Sequence, residues 1–164
     1  MDRRGLLAVG ISGVLTSLCR NVFAVAKEAA LPPAQDLRAD ARQSGQRPRL
    51  VVVLFSLPDC PYCERVRHEQ LAPLLHDRKL AERLIVREVS IVGARTMIDF
   101  RGSRTSEAAF ARDAHAKFSP TVAFFDPAGD QVVPAIVGAR LPDFYGAYLD
   151  DAIHLGLSRI EDHA

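Results

Sequence analysis

Runs of apolar residues, and the intervals between them, predict most of the elements of this chain. Leu50-Val51-Val52-Val53-Leu54-Phe55 is a β-branched run with no alternation, the pattern of a strand buried on both faces. Leu84 to Ile91 and Val122 to Phe125 predict two further strands. Gln131 to Val137 predicts a fourth, in which Pro134 argues for an edge position or a bulge. From Cys63 an apolar stripe at Val66, Leu71, Leu74 and Leu75 predicts a helix kinked at Pro73. Thr105 or Ser106 can cap a helix running through Ala108, Phe110, Ala111 and Ala114 to about Lys117. Pro142 opens an amphipathic helix through Phe144, Tyr148, Leu149 and Ile153, and Asp36 to Gln43 suits a modest one, ended by Gly45 and Pro48. Residues 93–104 read as a loop or inserted excursion, and Asp126-Pro127-Ala128-Gly129-Asp130 as a hairpin turn. The order is βαβ, helix, β-hairpin, helix. A right-handed parallel crossover followed by an antiparallel hairpin gives an α/β fold with one mixed sheet flanked by helices.

The N-terminus breaks this pattern and reads as an address. Arg3 and Arg4 precede the mostly apolar run Gly5 to Cys19, and Ala24-Val25-Ala26 offers a small-x-small cleavage site, so residues 1–26 are expected to be a signal peptide. The run is short for a membrane span, which needs about 20 residues, and an uncleaved anchor is the alternative. Asp2-Arg3-Arg4-Gly5-Leu6-Leu7 also resembles a twin-arginine signal, so Sec and Tat routes both stay open. Leu18 before Cys19 does not suit a lipoprotein signal. Residues 27–48 are expected to be a tether and short helix, and 49–160 the folded domain. The expected location is the periplasm.

Composition alters this picture little. The chain has 164 residues, 48% of them apolar, which fits one domain with an ordinary core. Its formal charge of +1 would become −1 without residues 1–26, and acids and bases alternate through the body. No basic stretch points to nucleic acid or an anionic membrane as a partner.

Cysteine usage changes it a great deal. Loss of Cys19 with the signal leaves Cys60 and Cys63, in Cys60-Pro61-Tyr62-Cys63. A bridge across so short a loop restrains the unfolded chain little, so the pair suits chemistry better than stapling. Cys60 falls at a predicted helix N-terminus, where free N–H groups favour a thiolate. A fall in pKa from about 8.5 to about 7 raises the thiolate at pH 7 roughly sixteenfold. Lower nucleophilicity takes back about fivefold, leaving roughly a threefold gain on attack. Cys63, three positions on, shares the helix face and can resolve a mixed disulfide. Pro61 and Tyr62 fix the helix start and tune the local field.

With Leu50–Phe55 before that motif, Ser119-Pro120-Thr121 before Val122–Phe125, and the Asp126–Gly129 turn, the chain resembles the thioredoxin superfamily from about Arg49 to Ile153. Within it the likeness is to exported proteins of the SoxW type, which share a Cys-Pro-Tyr-Cys centre and a long segment like residues 93–104. The resemblance implies a thioredoxin-like fold, Cys60 as nucleophile, Cys63 as resolving thiol, a redox-active disulfide between them, and a cis bond at Pro120. The Ser119 backbone would then pair with a substrate peptide as an added strand. Three departures stand out. Thioredoxins proper carry a buried Asp at the position of Leu54, so deprotonation of Cys63 must use water or another group. They carry Trp where this chain has Asp59, whose charge opposes a thiolate at Cys60. Glutaredoxins share Cys-Pro-Tyr-Cys but follow the hairpin with a Gly-Gly glutathione site, for which Gly138-Ala139-Arg140 is a poor substitute.

His68, His76, His115, His154 and His163 show no metal-ligand spacing with the cysteines, so surface roles are expected and no metal or other cofactor. The expected activity is reduction of disulfides in exported cysteine-containing proteins by a monomer, recharged by a membrane thiol donor. A disulfide oxidase or isomerase of DsbA or DsbC type is the alternative, though the chain has no room for their extra helical or dimerisation elements. A thiolate carrier of copper or zinc is the alternative from another class.

Overall fold

The strand β1, Leu50–Ser56, is buried along its whole length and divides the molecule into two cores. The computed structural model describes residues 31–43, 47–139 and 142–162, the side chains of residues 142 and 143 apart, so the expected signal peptide lies outside the described residues. β1 pairs in parallel with β2, Leu84–Ser90, and antiparallel with β5, Thr121–Phe125, which pairs antiparallel with β6, Gln131–Val137. The order β2-β1-β5-β6 is the expected mixed sheet. Pro134 is in an edge strand, and the β5–β6 register shifts beside Phe124, so both readings of that proline hold.

Alternate residues of β1 feed the two cores. Leu50, Val52 and Leu54 pack under the helical segment after Cys60 and under α5, Pro142–Asp162. Val51, Val53 and Phe55 pack under α1, Leu37–Arg42, and α4, Glu107–Asp113. Helix caps follow the local sequence: the Asp36 side chain accepts from the Ala39 N–H, and the Ser106 hydroxyl from the Ala109 N–H. In the turn between β5 and β6, Gly129 takes φ 95°, and Asp126 Oδ1 accepts from the amides of Ala128, Gly129 and Asp130.

Four expectations need correction. Residues 93–104 are more than a loop: β3, Thr96–Ile98, pairs with β4, Arg104–Ser106, in a small antiparallel ribbon. Its strands are too short to declare a period of two, and what pins them is the burial of Met97. Residues 31–35 are no tether. Ala34 N–H donates to Glu88 O and Glu88 N–H to Pro32 O, so this segment covers the outer edge of β2, with Leu31 and Ala34 buried.

The helix from Pro61 is not kinked once at Pro73 but changes winding twice. α2, Pro61–Arg65, runs into a wide π turn over Val66–Leu71 and a tight 3₁₀ turn over Ala72–Leu75, before the short α3, Arg78–Ala81. The wide turn brings Val66 and Leu71, five residues apart, to the same core. In α5 the buried stripe is Tyr145, Leu149, Ile153, Leu157 and Ile160, while Phe144 and Tyr148 face outward. Gly156 lies in that stripe because a Cβ there would come within 2.9 Å of Leu50 Cδ2.

Candidate redox site

The buried strand β1 ends at Ser56, and the exposed turn Leu57-Pro58-Asp59 carries the chain to Cys60. Asp59 turns the corner with φ 53° and stands exposed. Cys60 is the N-cap of α2, with Pro61 in its first turn, where the missing N–H leaves no bond unmade. Cys60 Sγ accepts the Cys63 N–H at 3.2 Å, a contact that favours negative charge on that sulfur. The two cysteines form a disulfide with their Cα atoms 5.2 Å apart. Cys60 is half-buried and Cys63 fully buried, so a partner can reach only the first. Tyr62, between them, is 59% exposed.

The other wall comes from the start of β5. The Ser119–Pro120 peptide bond is cis, Pro120 is buried, and Pro120 O accepts the Gly138 N–H at 2.7 Å, tying this wall to the end of β6. Ser119 Oγ lies 2.9 Å from Cys63 Sγ. Between the walls opens a groove of about 700 Å³, lined by Tyr62, Arg65, Phe118, Pro120, Val137 and Ala139 among others. Phe118 and Val137 are 68% and 57% exposed, so the rim beside the sulfurs is apolar and uncovered. Cys60, Pro61, Tyr62, Cys63, Ser119 and Pro120 are thus gathered at one end of the sheet, with Asp59 leading into them.

The electrostatics beneath the site were not foreseen. Glu88 of β2 sits opposite Leu54 in the parallel register. Its carboxylate accepts from Ser56 Oγ at 2.6 Å and from Arg67 Nε and Nη2 at 2.9 and 2.5 Å. Arg67 Nη1 also meets Glu64 at 2.5 Å, and Glu64 meets His68 Nε2 at 3.1 Å. The bond to Glu88, ahead of that to Glu64, holds the Arg67 guanidinium above its ordinary pKa. Glu64 is held below the usual carboxylate range, chiefly by Arg67. The one sequence signal was a charged pair, Arg87-Glu88, inside an otherwise apolar strand. Exposed or half-exposed positions hold His68, His76, His115 and His154, and His163 lies outside the described residues. Among the described residues, no group of three or more His, Cys, Asp or Glu side chains is placed to hold a metal ion.

Residues 35–153 match the family described as thioredoxin-like domain. No curated protein matches the chain. Similar solved structures include oxidised mitochondrial thioredoxin 3 of Saccharomyces cerevisiae, 14% identical over 76% of this chain and 93% of that one, with a TM-score of 0.48. A thioredoxin-fold protein from Helicobacter pylori is 17% identical over 70% and 83% of the two chains, TM-score 0.47. A DsbH oxidoreductase is 17% identical over 82% and 94%, TM-score 0.49.

Proposed function

The chain belongs to the thioredoxin-like domain family, and from that premise we propose that it is a periplasmic thiol–disulfide oxidoreductase that reduces disulfides in exported partner proteins. A thioredoxin-like fold with a disulfide-bonded Cys-x-x-Cys pair supports the oxidoreductase. The observation that carries the two-step exchange on a protein client is the unequal burial of the two sulfurs beside an open apolar groove.

In the reduced protein, the Cys60 thiolate attacks a client disulfide and the first client sulfur leaves as a thiolate. Cys63, shielded from outside partners, then attacks Cys60 Sγ, so the Cys60–Cys63 disulfide forms and the second client thiolate is released. Two electrons pass to the client, and its two thiolates take up protons from water. A client strand lying along Ser119 and Pro120 would bring its sulfur to Cys60, with apolar neighbours resting on Tyr62, Phe118 and Val137. Export rests on Arg3, Arg4, the apolar run and Ala24-Val25-Ala26. Recharging by a membrane thiol donor follows from that location. A monomer without a cofactor suffices for these steps, and the likeness to the SoxW type rests on the shared Cys-Pro-Tyr-Cys centre.

Reduction of insulin by dithiothreitol should be catalysed by the protein and fall to the uncatalysed background in Cys60→Ser. Equal rates for the two proteins would sink the enzyme. The direction is set by the potential against glutathione: a value near about −270 mV supports reduction, and one near about −120 mV makes the protein an oxidant.

A further inference from the structure

Resolution needs Cys63 as a thiolate, yet its surroundings hold little to help it lose a proton. The sulfur is fully buried, which penalises the charged form. The side chain at position 54 of β1 is an apolar and fully buried Leu. Glu88, opposite position 54 in the neighbouring strand, has its carboxylate already committed to Ser56 and Arg67. Among the described residues, the side-chain hydroxyl within hydrogen-bond distance of Cys63 Sγ is that of Ser119, at 2.9 Å.

We propose that the Ser119 hydroxyl is a catalytic group of the second half-reaction, donating a hydrogen bond to the Cys63 thiolate as it attacks the mixed disulfide on Cys60. This deepens the oxidoreductase reading and rests on it. The Cys63 thiol gives its proton to water, and the resulting thiolate is stabilised by the Ser119 O–H. Its lone pair forms the new bond to Cys60 Sγ, the bond between Cys60 and the client sulfur breaks, and the client thiolate leaves and is protonated by water. A hydroxyl suits both stages, since it rotates to accept from the thiol and to donate to the thiolate. It adds no charge that would have to be buried. Ser119 therefore has two separable parts: a backbone beside the groove and a side chain committed to the buried sulfur.

The two half-reactions can be watched separately with 5,5′-dithiobis(2-nitrobenzoate) as the probe. Attack by Cys60 on the probe releases one coloured thiolate, and attack by Cys63 releases the second. Ser119→Ala should slow the second release roughly tenfold at pH 7 and raise its pH midpoint by about one unit, the scale of one hydrogen bond to a charged group. The first release should change far less, and Ser119→Thr should restore the second. An unchanged second phase in Ser119→Ala, or equal slowing of both phases, would overturn the proposal. Melting of the oxidised variant checks that it folds, and Cys63→Ser marks the first release alone. If the wild type shows both releases but does not catalyse insulin reduction, the enzyme reading fails and the role of Ser119 stands.

Discussion

Strand β2 sends two consecutive charged side chains to opposite faces of the sheet, and their fates differ. Arg87 reaches α1, where its Nε and Nη2 bind Asp40 at 2.7 and 2.5 Å. Glu88 reaches the other face and binds Arg67, one turn beyond Cys63. The first pair fastens an N-terminal helix next to a core with four clustered aromatic rings, Phe55, Phe100, Phe110 and Phe125, at centroid distances of 5.3 to 6.4 Å. The second fastens the redox helix next to a mostly aliphatic core that includes Leu54, Val66 and Leu71. The same device therefore serves stability on one face and the placing of chemistry on the other. What separates them is which helix lies at the far end of the ion pair.

The largest effect should come from the aromatic face. Phe110→Ala opens a cavity among the other rings and should cost about 3–5 kcal/mol in urea unfolding of the oxidised protein. Its thiol kinetics, read on the folded protein, should stay as they are. A change there would mean that the faces are coupled.

A matched pair of substitutions sharpens the contrast. Glu88→Gln and Asp40→Asn each leave a partly buried Arg short of its partner and should each cost roughly 2 kcal/mol, between the values for exposed and buried pairs. Only Glu88→Gln should lower the pH midpoints of the thiol reactions. A partly freed Arg67 cation, one helical turn from Cys63, favours thiolates, whereas Arg87 lies on the other face. Equal midpoints in the two variants would break the comparison.

The smallest effect concerns Tyr145, on the redox face, whose buried hydroxyl has no hydrogen-bond partner among the described residues. Burial raises its pKa above the ordinary value. The folded state thus keeps its proton where the unfolded chain has lost it, and stability is whole below pH ~10 and falls as pH rises above that. Tyr145→Phe should remove this part of the alkaline loss, about 1 kcal/mol at pH 11, and be near neutral or slightly stabilising at pH 7. Unfolding midpoints of the two proteins at pH 7 and pH 11 check it.

What the sequence carried was whatever a short stretch can state by itself. Leu50–Phe55 is apolar at every position, which only a strand covered on both sides can use, and it is buried throughout. Asp36 and Ser106 are capping residues by chemistry, and each accepts its amide. Cys60-Pro61-Tyr62-Cys63 announces a helix start and a redox pair in four letters. Where local signals were weak, the reading failed. The ribbon of Thr96–Ile98 and Arg104–Ser106 is held by pairing and burial rather than by period. Residues 31–35 look like a linker until the open edge of β2 gives their backbone somewhere to bond.

The site divides the same way. The sequence by itself determined the cysteines, their spacing and the turn that presents them. Only the tertiary structure decided that Cys63 is the shielded sulfur, that Arg67, one turn beyond it, meets Glu88 of β2, and that the Ser119 side chain reaches it across 56 positions of chain. A thiol's reactivity is set by charge, hydrogen bonds and solvent within a few ångströms, and those neighbours come from strands that are distant in sequence.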